Sequence, residues 1–294
     1  MNHCLGSHVS VAGGLHLGVR RAVEVGCQCL QVFTKNANAW RAKPLDDAAV
    51  ASWRAALAES GLRHPIAHAS YLINLATPDD GLFEKSVDAL VVEWQRCESL
   101  GIEGLVLHPG AYTTSDEATG LAKVATAIAM SGERVSPRVC RLLLENTAGQ
   151  GTTLGYDLRQ LGQIIAAVDS SSPSTAAQIG VCLDTCHAFA AGYAINTAAG
   201  WRDFSQQVVD HLPADSVRAL HLNDSKKPLG SRVDRHEHIG RGQIGPDGFR
   251  LLLADPFFGP LPGYLETEKG TDPETGLDWD LINLKTLRSL ADEV

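Results

Sequence analysis

The sequence predicts an α/β chain folded as a closed (β/α)8 barrel, with a metal site at the C-terminal ends of its strands. Three observations carry the fold. Short, nearly continuous apolar runs alternate with longer stretches of helical periodicity along the 294 residues, as parallel strands covered by helices do. The runs number eight, the count a closed barrel needs. No GxGxxG turn follows the first run, where an open dinucleotide-binding sheet would carry one.

The runs of the first half are Cys4–His8, Cys29–Phe33, Pro65–His68 and Gly104–His108. Those of the second half are Arg141–Glu145, Ile179–Asp184, Val217–His221 and Gly263–Glu266. All are too short for helices and long enough for strands. Between them, Asp46–Ser60, Leu82–Leu100 and Ser205–Leu212 repeat apolar residues at spacings of three and four, which predicts helices. Ser170–Ser174 reads as a surface loop. No linker or low-complexity segment divides the chain, so one domain is expected over residues 1–294.

A hydrophobic content of 44% with 20% charged residues is that of a globular protein. No apolar run approaches the roughly 20 residues of a membrane span, and the start, MNHCLGSHVSVAGG, lacks the basic and apolar regions of a signal peptide. A cytoplasmic, monomeric protein with no membrane partner is expected. The seven cysteines are odd in number and lack zinc-finger spacing, which suits reduced, buried thiols. A net charge of -9 excludes a simple basic DNA-coating protein but leaves room for a local site that holds cations.

The last six of the eight runs each end on a His, Asp or Glu: His68, His108, Glu145, Asp184, His221 and Glu266. In a parallel barrel those ends meet on the one face where barrel enzymes assemble their sites. Imidazoles and carboxylates without thiolates suit Zn²⁺, Mn²⁺ or Fe²⁺ in a catalytic site. Cys182 is placed in the core, on the strand face away from Asp184. Cys186 lies near enough in sequence to approach a metal, but nothing requires a thiolate.

His187 follows Asp184 by three residues, a spacing that brings both round one strand-to-helix turn. The glycine-punctuated stretch GSRVDRHEHIGRG, residues 230–242, supplies two more ligands. Asp234 and His236 are two apart, so an extended segment points both the same way to clamp one ion with His187. His238 continues the alternation but nears the glycines, and is expected behind the ligands or in solvent. The candidates number nine, too many for one tetrahedral ion. Three four-coordinate ions offer about twelve positions; one bridging carboxylate raises the nine to about ten bonds, leaving about two for water or substrate. Three divalent cations outweigh four carboxylates, so the pocket favours a phosphate.

These residues sit in longer motifs: GSHVSVAGGL (6–15), VFTKN (32–36), SYLINLA (70–76), LHPG (107–110), LENTAGQG (144–151), CLDTCHAFAAGY (182–193), HLNDSK (221–226), GSRVDRHEHIGRGQIG (230–245) and LET (265–267). In these motifs and their order the chain resembles the endonuclease IV family of apurinic/apyrimidinic DNA-repair endonucleases, over nearly its whole length. The resemblance implies a TIM barrel with three zinc ions per chain. His68, His108 and Glu145 would hold the first. Glu145, the bridging and catalytic carboxylate, would hold the second with Asp184, His221 and Glu266. His187, Asp234 and His236 would hold the third.

The implied reaction is hydrolysis of the phosphodiester 5′ to an abasic site in double-stranded DNA, giving a 3′-hydroxyl and a 5′-deoxyribose phosphate. A metal-bridging hydroxide would be the nucleophile. Tyr71 and Leu72 match family residues that enter the DNA at the gap left by the missing base. From Arg218 to Arg250 seven Lys or Arg stand against four acids, and Lys226, Arg232 and Arg235 among them are expected on phosphates. Two positions depart from the family's pattern. Ala69 stands where an acidic residue often follows the first zinc histidine, which removes a side-chain contact behind that ligand. Asn38 stands where an arginine often serves as part of the wedge that enters the DNA.

A sugar isomerase or epimerase on a related metal-binding barrel is the competing reading, since fold does not fix function. Such enzymes use one or two ions. They leave His187, Asp234 and His236 without a task.

Overall fold

All eight apolar runs become barrel strands. The computed structural model describes residues 3–293. Its strands are β1 (Leu5–His8), β2 (Cys29–Val32), β3 (Arg63–His68), β4 (Gly104–Leu107), β5 (Arg141–Glu145), β6 (Ile179–Asp184), β7 (Val217–His221), a short antiparallel pair β8 (Asp224–Ser225) and β9 (His236–Glu237), and β10 (Gly263–Leu265). The closed parallel barrel runs β1-β10-β7-β6-β5-β4-β3-β2. Around it lie α1 (Leu15–Glu24), α2 (Asp47–Ser60), α3 (Asp80–Leu100), α4 (Glu117–Val135), α5 (Leu158–Ser171), α6 (Pro173–Ala176), α7 (Thr185–Ala191), α8 (Ala198–His211), α9 (Gly245–Ala254) and α10 (Trp279–Asp292). No described helix is long and apolar enough to cross a membrane.

Local chemistry starts the helices where they start. Asp46, Asp79, Asp116, Asp157 and Asp278 each accept a backbone N–H of the first turn, and each such cap contributes about 1 kcal/mol. Two stretches differ most from the sequence reading. The helix expected from Ser205 begins at Ala198, because Thr197 caps it and Trp201, Phe204 and Val208 bury one face. The serine-rich stretch 170–174 is not a loop: Ser170 and Ser171 finish α5, and Ser172 and Thr175 are buried and bonded to each other across the short turn of α6.

Two apolar layers hold the barrel. The larger lies between strands and helices. The smaller fills the barrel interior with Cys4, Cys29, Ile66, Val106, Leu143, Cys182, Ala219 and Tyr264, one residue from each strand or its margin. Strand side chains alternate with a period of two, so the next inward residue lies two positions on. From Ile66, Val106, Leu143, Cys182, Ala219 and Tyr264 that step reaches His68, His108, Glu145, Asp184, His221 and Glu266. The barrel's own packing therefore stacks a polar layer on its apolar floor. It also corrects the expectation for Cys182, which is buried in the core but shares the inward face with Asp184, one layer below. Gly6 takes the corresponding place on β1, where a Cβ would come within 1.8 Å of the Cys29 carbonyl oxygen.

The loops after β2 and β3 are joined under this face. Lys35 Nζ lies 3.2 Å from Glu93 Oε1, with both side chains almost wholly buried. Glu93 accepts the Ser70 N–H, and Ser70 Oγ donates to the Ala37 carbonyl at 2.5 Å. Removing one partner of a buried pair strands the other charge, so Glu93→Ala is expected to destabilise the fold by about 3–5 kcal/mol in a denaturant titration. A loss below about 1 kcal/mol, the scale of an exposed pair, would show that the pair is dispensable.

Candidate metal centre

The nine candidate ligands meet at the C-terminal mouth of the barrel. They form three groups in which the ligand atoms lie within 4.8 Å of one another: His68, His108 and Glu145; Glu145, Asp184, His221 and Glu266; and His187, Asp234 and His236. Glu145 belongs to two groups because its oxygens face opposite ways. Oε2 lies 3.2 Å from His68 Nε2 and 3.1 Å from His108 Nε2, while Oε1 lies 2.9 Å from His221 Nδ1. His221 Nδ1 is also 3.1 Å from Glu266 Oε2. In the third group Asp234 sits between His187 Nε2 and His236 Nε2, 3.2 Å from each.

The backbone decides which imidazole nitrogen faces inward. Nδ1 of His68 is 2.8 Å from the Ala69 carbonyl, Nδ1 of His187 is 2.9 Å from that of Asn146, and Nδ1 of His236 is 3.3 Å from that of Glu266. Each carbonyl takes an N–H and leaves Nε2 bare, the arrangement that orients metal-binding histidines. The contact missing at Ala69 is thus made by its main chain. Asp184 is fixed by its place as N-cap of α7, where Oδ1 accepts the His187 N–H at 2.7 Å. Asn223 donates to Asp184 Oδ2 at 2.6 Å and accepts the Glu266 N–H at 2.8 Å.

Charge is balanced within the cluster. Burial opposes ionisation of Glu145, but the His221 and His108 imidazoles hold its carboxyl well below the usual carboxylate range. Burial likewise opposes protonation of His187, and Asp184, Asp234 and Glu145 outweigh it and raise the imidazole well above its ordinary value. At His236 the same contest, with Asp234 and Asp184 opposing burial, pushes the imidazole up to about 9. Protons here occupy places that cations can take, and cation binding must displace them.

The donor set fits divalent cations. His187 Nε2 and His236 Nε2 are buried without a hydrogen-bond partner, although Asp234 is close to both. Two imidazole nitrogens that converge on one carboxylate, with no hydrogen-bond partner of their own, form a donor set that a divalent cation completes once their protons leave. Cys186 is near Asp184 and His236. Burial pushes its thiol up to about 12, and Sγ donates to the Arg235 carbonyl, so it stands as a neutral thiol behind the ligands.

The remaining site candidates surround this centre. A cavity of about 320 Å³ opens over it, and Tyr71 and His108 stand in its wall. Tyr71 is 66% exposed and its ring is 5.4 Å from that of Phe33, while Leu72 is half-buried. Asn38 is exposed on the neighbouring loop, and Lys226, Arg232 and Arg235 are exposed on the loop between β8 and β9. Arg232 lies over the Tyr156 ring, with 4.8 Å from guanidinium to centroid.

His238 is neither behind the ligands nor in solvent. It is buried and stacked on Trp279 with centroids 3.9 Å apart, and Asn283 donates to its Nδ1. Asp224, counted with the acids of the basic loop, is buried. Its carboxylate accepts the N–H groups of Gly240, Gly242 and Ile244 and so anchors the chain just beyond His236. A Cβ at Gly242 would come within 2.5 Å of its Oδ1.

Four residues at the site escape the sequence reading: His8, Gln31, Asn146 and Asn223. His8 ends the first strand as the ligands end theirs, which was the available signal. Gln31 is a polar residue inside an apolar run. The asparagines follow Glu145 and His221 by one and two positions, with nothing in their spacing to mark them.

An eight-stranded parallel barrel with histidines and carboxylates gathered at its strand ends defines a class, the xylose isomerase-like TIM barrel, and the family so described matches residues 19–287. The solved structure of endonuclease IV from Thermus thermophilus is similar with a TM-score of 0.85 and 33% identity, covering 99% of both chains. The probable endonuclease 4 of Citrifermentans bemidjiense is 46% identical over 288 residues, 98% of this chain and 99% of that protein. That of Geobacter sulfurreducens is 45% identical over 294 residues, 99% of this chain and 95% of that protein. The chain belongs to the endonuclease IV family. A 3-keto-D-glucoside 4-epimerase from E. coli shares the fold at a TM-score of 0.66 and 14% identity, covering 98% of this chain and 100% of that one.

Proposed function

We propose that the protein is an apurinic/apyrimidinic endonuclease of DNA repair. It hydrolyses the phosphodiester 5′ to an abasic site in duplex DNA, leaving a 3′-hydroxyl and a 5′-deoxyribose phosphate. One barrel domain would hold three zinc ions through His68, His108, Glu145, Asp184, His221, Glu266, His187, Asp234 and His236. Ions held there would supply Lewis-acid stabilisation of the phosphoryl and leaving 3′-oxygens, and hydroxide at neutral pH by lowering the pKa of water toward 7.

The chain's own residues set the geometry. Glu145 turns one oxygen to each of two ligand groups and holds them in register. His187, Asp234 and His236 form a third group beside His108 and Asp184, so a phosphate can be gripped by more than one group. Tyr71 fills the space of the missing base, and Lys226, Arg232 and Arg235 offer charge to the flanking phosphates.

The observation that carries this reading is the third group, with its two unpartnered imidazole nitrogens. A sugar epimerase has no task for it, and likeness to epimerases at 14% identity speaks for the fold alone. The test is a duplex with a single abasic site, run beside an undamaged duplex and free pentoses. Cleavage of the abasic duplex alone is expected; turnover of a pentose with intact DNA would overturn the proposal.

Elemental analysis of the purified protein is expected to give close to three divalent ions per chain, mostly zinc. Strong chelators should abolish activity slowly, because most ligands are buried. One ion or none with full activity would sink the three-ion site. Since each ligand must be deprotonated to bind, ion affinity should fall as pH falls.

A further inference from the structure

We propose that Gln31 is a positioning residue, whose amide orients His221 and Glu266 and makes His221 present Nδ1 to a cation. The proposal rests on the reading that Glu145, Asp184, His221 and Glu266 hold an ion. Gln31 lies two residues beyond Cys29 on β2, so it faces inward in the same layer as the ligands, and it is completely buried. Its Oε1 is 2.8 Å from His221 Nε2. Its Nε2 is 2.5 Å from Glu266 Oε1 and 2.9 Å from His8 Nδ1. Both amide protons and the carbonyl oxygen therefore have partners.

The direction of the amide is decided by Glu266. An ionised carboxylate only accepts, so the group 2.5 Å from it is the NH₂; an amide oxygen there would be repelled. That turns the carbonyl to His221, which must meet it with an N–H on Nε2. The bare nitrogen of a neutral His221 is then Nδ1, the atom that faces Glu145 and Glu266 at 2.9 and 3.1 Å. His68, His187 and His236 obtain the same service from main-chain carbonyls, which no substitution removes. At His221 the service comes from a side chain. The direction is also reversed: the other three leave Nε2 bare and His221 leaves Nδ1.

The test uses the full-length protein with histidine rings labelled with ¹⁵N, loaded with zinc. In the parent, the His221 ring should show zinc on Nδ1 and a proton on Nε2. Gln31→Met keeps the length and removes both hydrogen-bonding functions. It should lose that ring signature and weaken one of the three ions about 10- to 100-fold in chelator competition, with an unchanged fold by circular dichroism.

A Met variant that binds every ion with parental affinity and ring signals would overturn the role of Gln31. Should that variant fail to fold, zinc on Nε2 of His221 in the parent would overturn it equally. A parent that takes up no zinc would overturn the metal reading itself, and is distinguishable from either result.

Discussion

Glu145→Gln is expected to lose turnover by on the order of 100- to 1,000-fold or more, the scale of removing one preorganised electrostatic contact from a buried site, while affinity for abasic duplex changes by less than about tenfold. Glu145 is fully buried, and its two oxygens reach His68 and His108 on one side and His221 on the other. An amide of the same shape removes the charge and replaces one acceptor with a donor, which faces imidazole nitrogens that a cation is meant to share. The residues expected on DNA, Tyr71, Lys226, Arg232 and Arg235, are exposed and do not touch Glu145. Binding measured by fluorescence anisotropy and turnover measured on the same duplex should therefore separate. Equal losses in both would mean that Glu145 only holds the fold. The ion count of the variant adds a second reading: retention of the third group's ion with loss at the other two fits the grouping, whereas loss of all three would make the cluster a single cooperative unit.

The parts of this centre that the sequence exposes are those governed by strand period and by chemistry alone. His68, His108, Glu145, Asp184, His221 and Glu266 stand at the ends of apolar runs, and a parallel barrel brings such ends together whatever the helices do. Asp234 and His236 are legible because two positions in an extended chain face one way. What escapes is whatever depends on a neighbour distant in sequence. Gln31 acquires its role from Glu266 and His221, far along the chain, and no local pattern carries that. His238 looks like one more member of an alternating pair until Trp279 is packed against it. Asp224 reads as a surface acid, and only the fold brings the amides of Gly240, Gly242 and Ile244 round its carboxylate. For Cys182 the period of two, applied from Asp184, would have placed it on the inward face where it lies.

Replacing Tyr71 and Leu72 together with Ala is expected to weaken binding to abasic duplex by on the order of 1 to 3 kcal/mol per lost stacking contact, with metal content unchanged. The two positions should not contribute equally. Tyr71 projects 66% exposed beside the cavity, supported from below by the edge of Phe33, whereas Leu72 is half-buried and braces the loop. Tyr71→Ala alone should therefore account for most of the loss. The loop is already ordered, so it should lose little entropy on meeting DNA. Ser70 is bonded to Glu93 and to the Ala37 carbonyl, and Leu72 N–H to Ser70 Oγ, so little entropy remains to be lost when a base stacks. The same bonds tie it to the loop that carries Asn38. Asn38 is exposed on that loop and is too short to stack or to clasp a phosphate as a guanidinium does, which should concentrate discrimination on Tyr71. Asn38→Arg should tighten DNA binding or leave it unchanged, and it should reduce the penalty of Tyr71→Ala if the two arms share the gap. A double variant that binds and cleaves abasic DNA like its parent would show that neither residue enters the duplex.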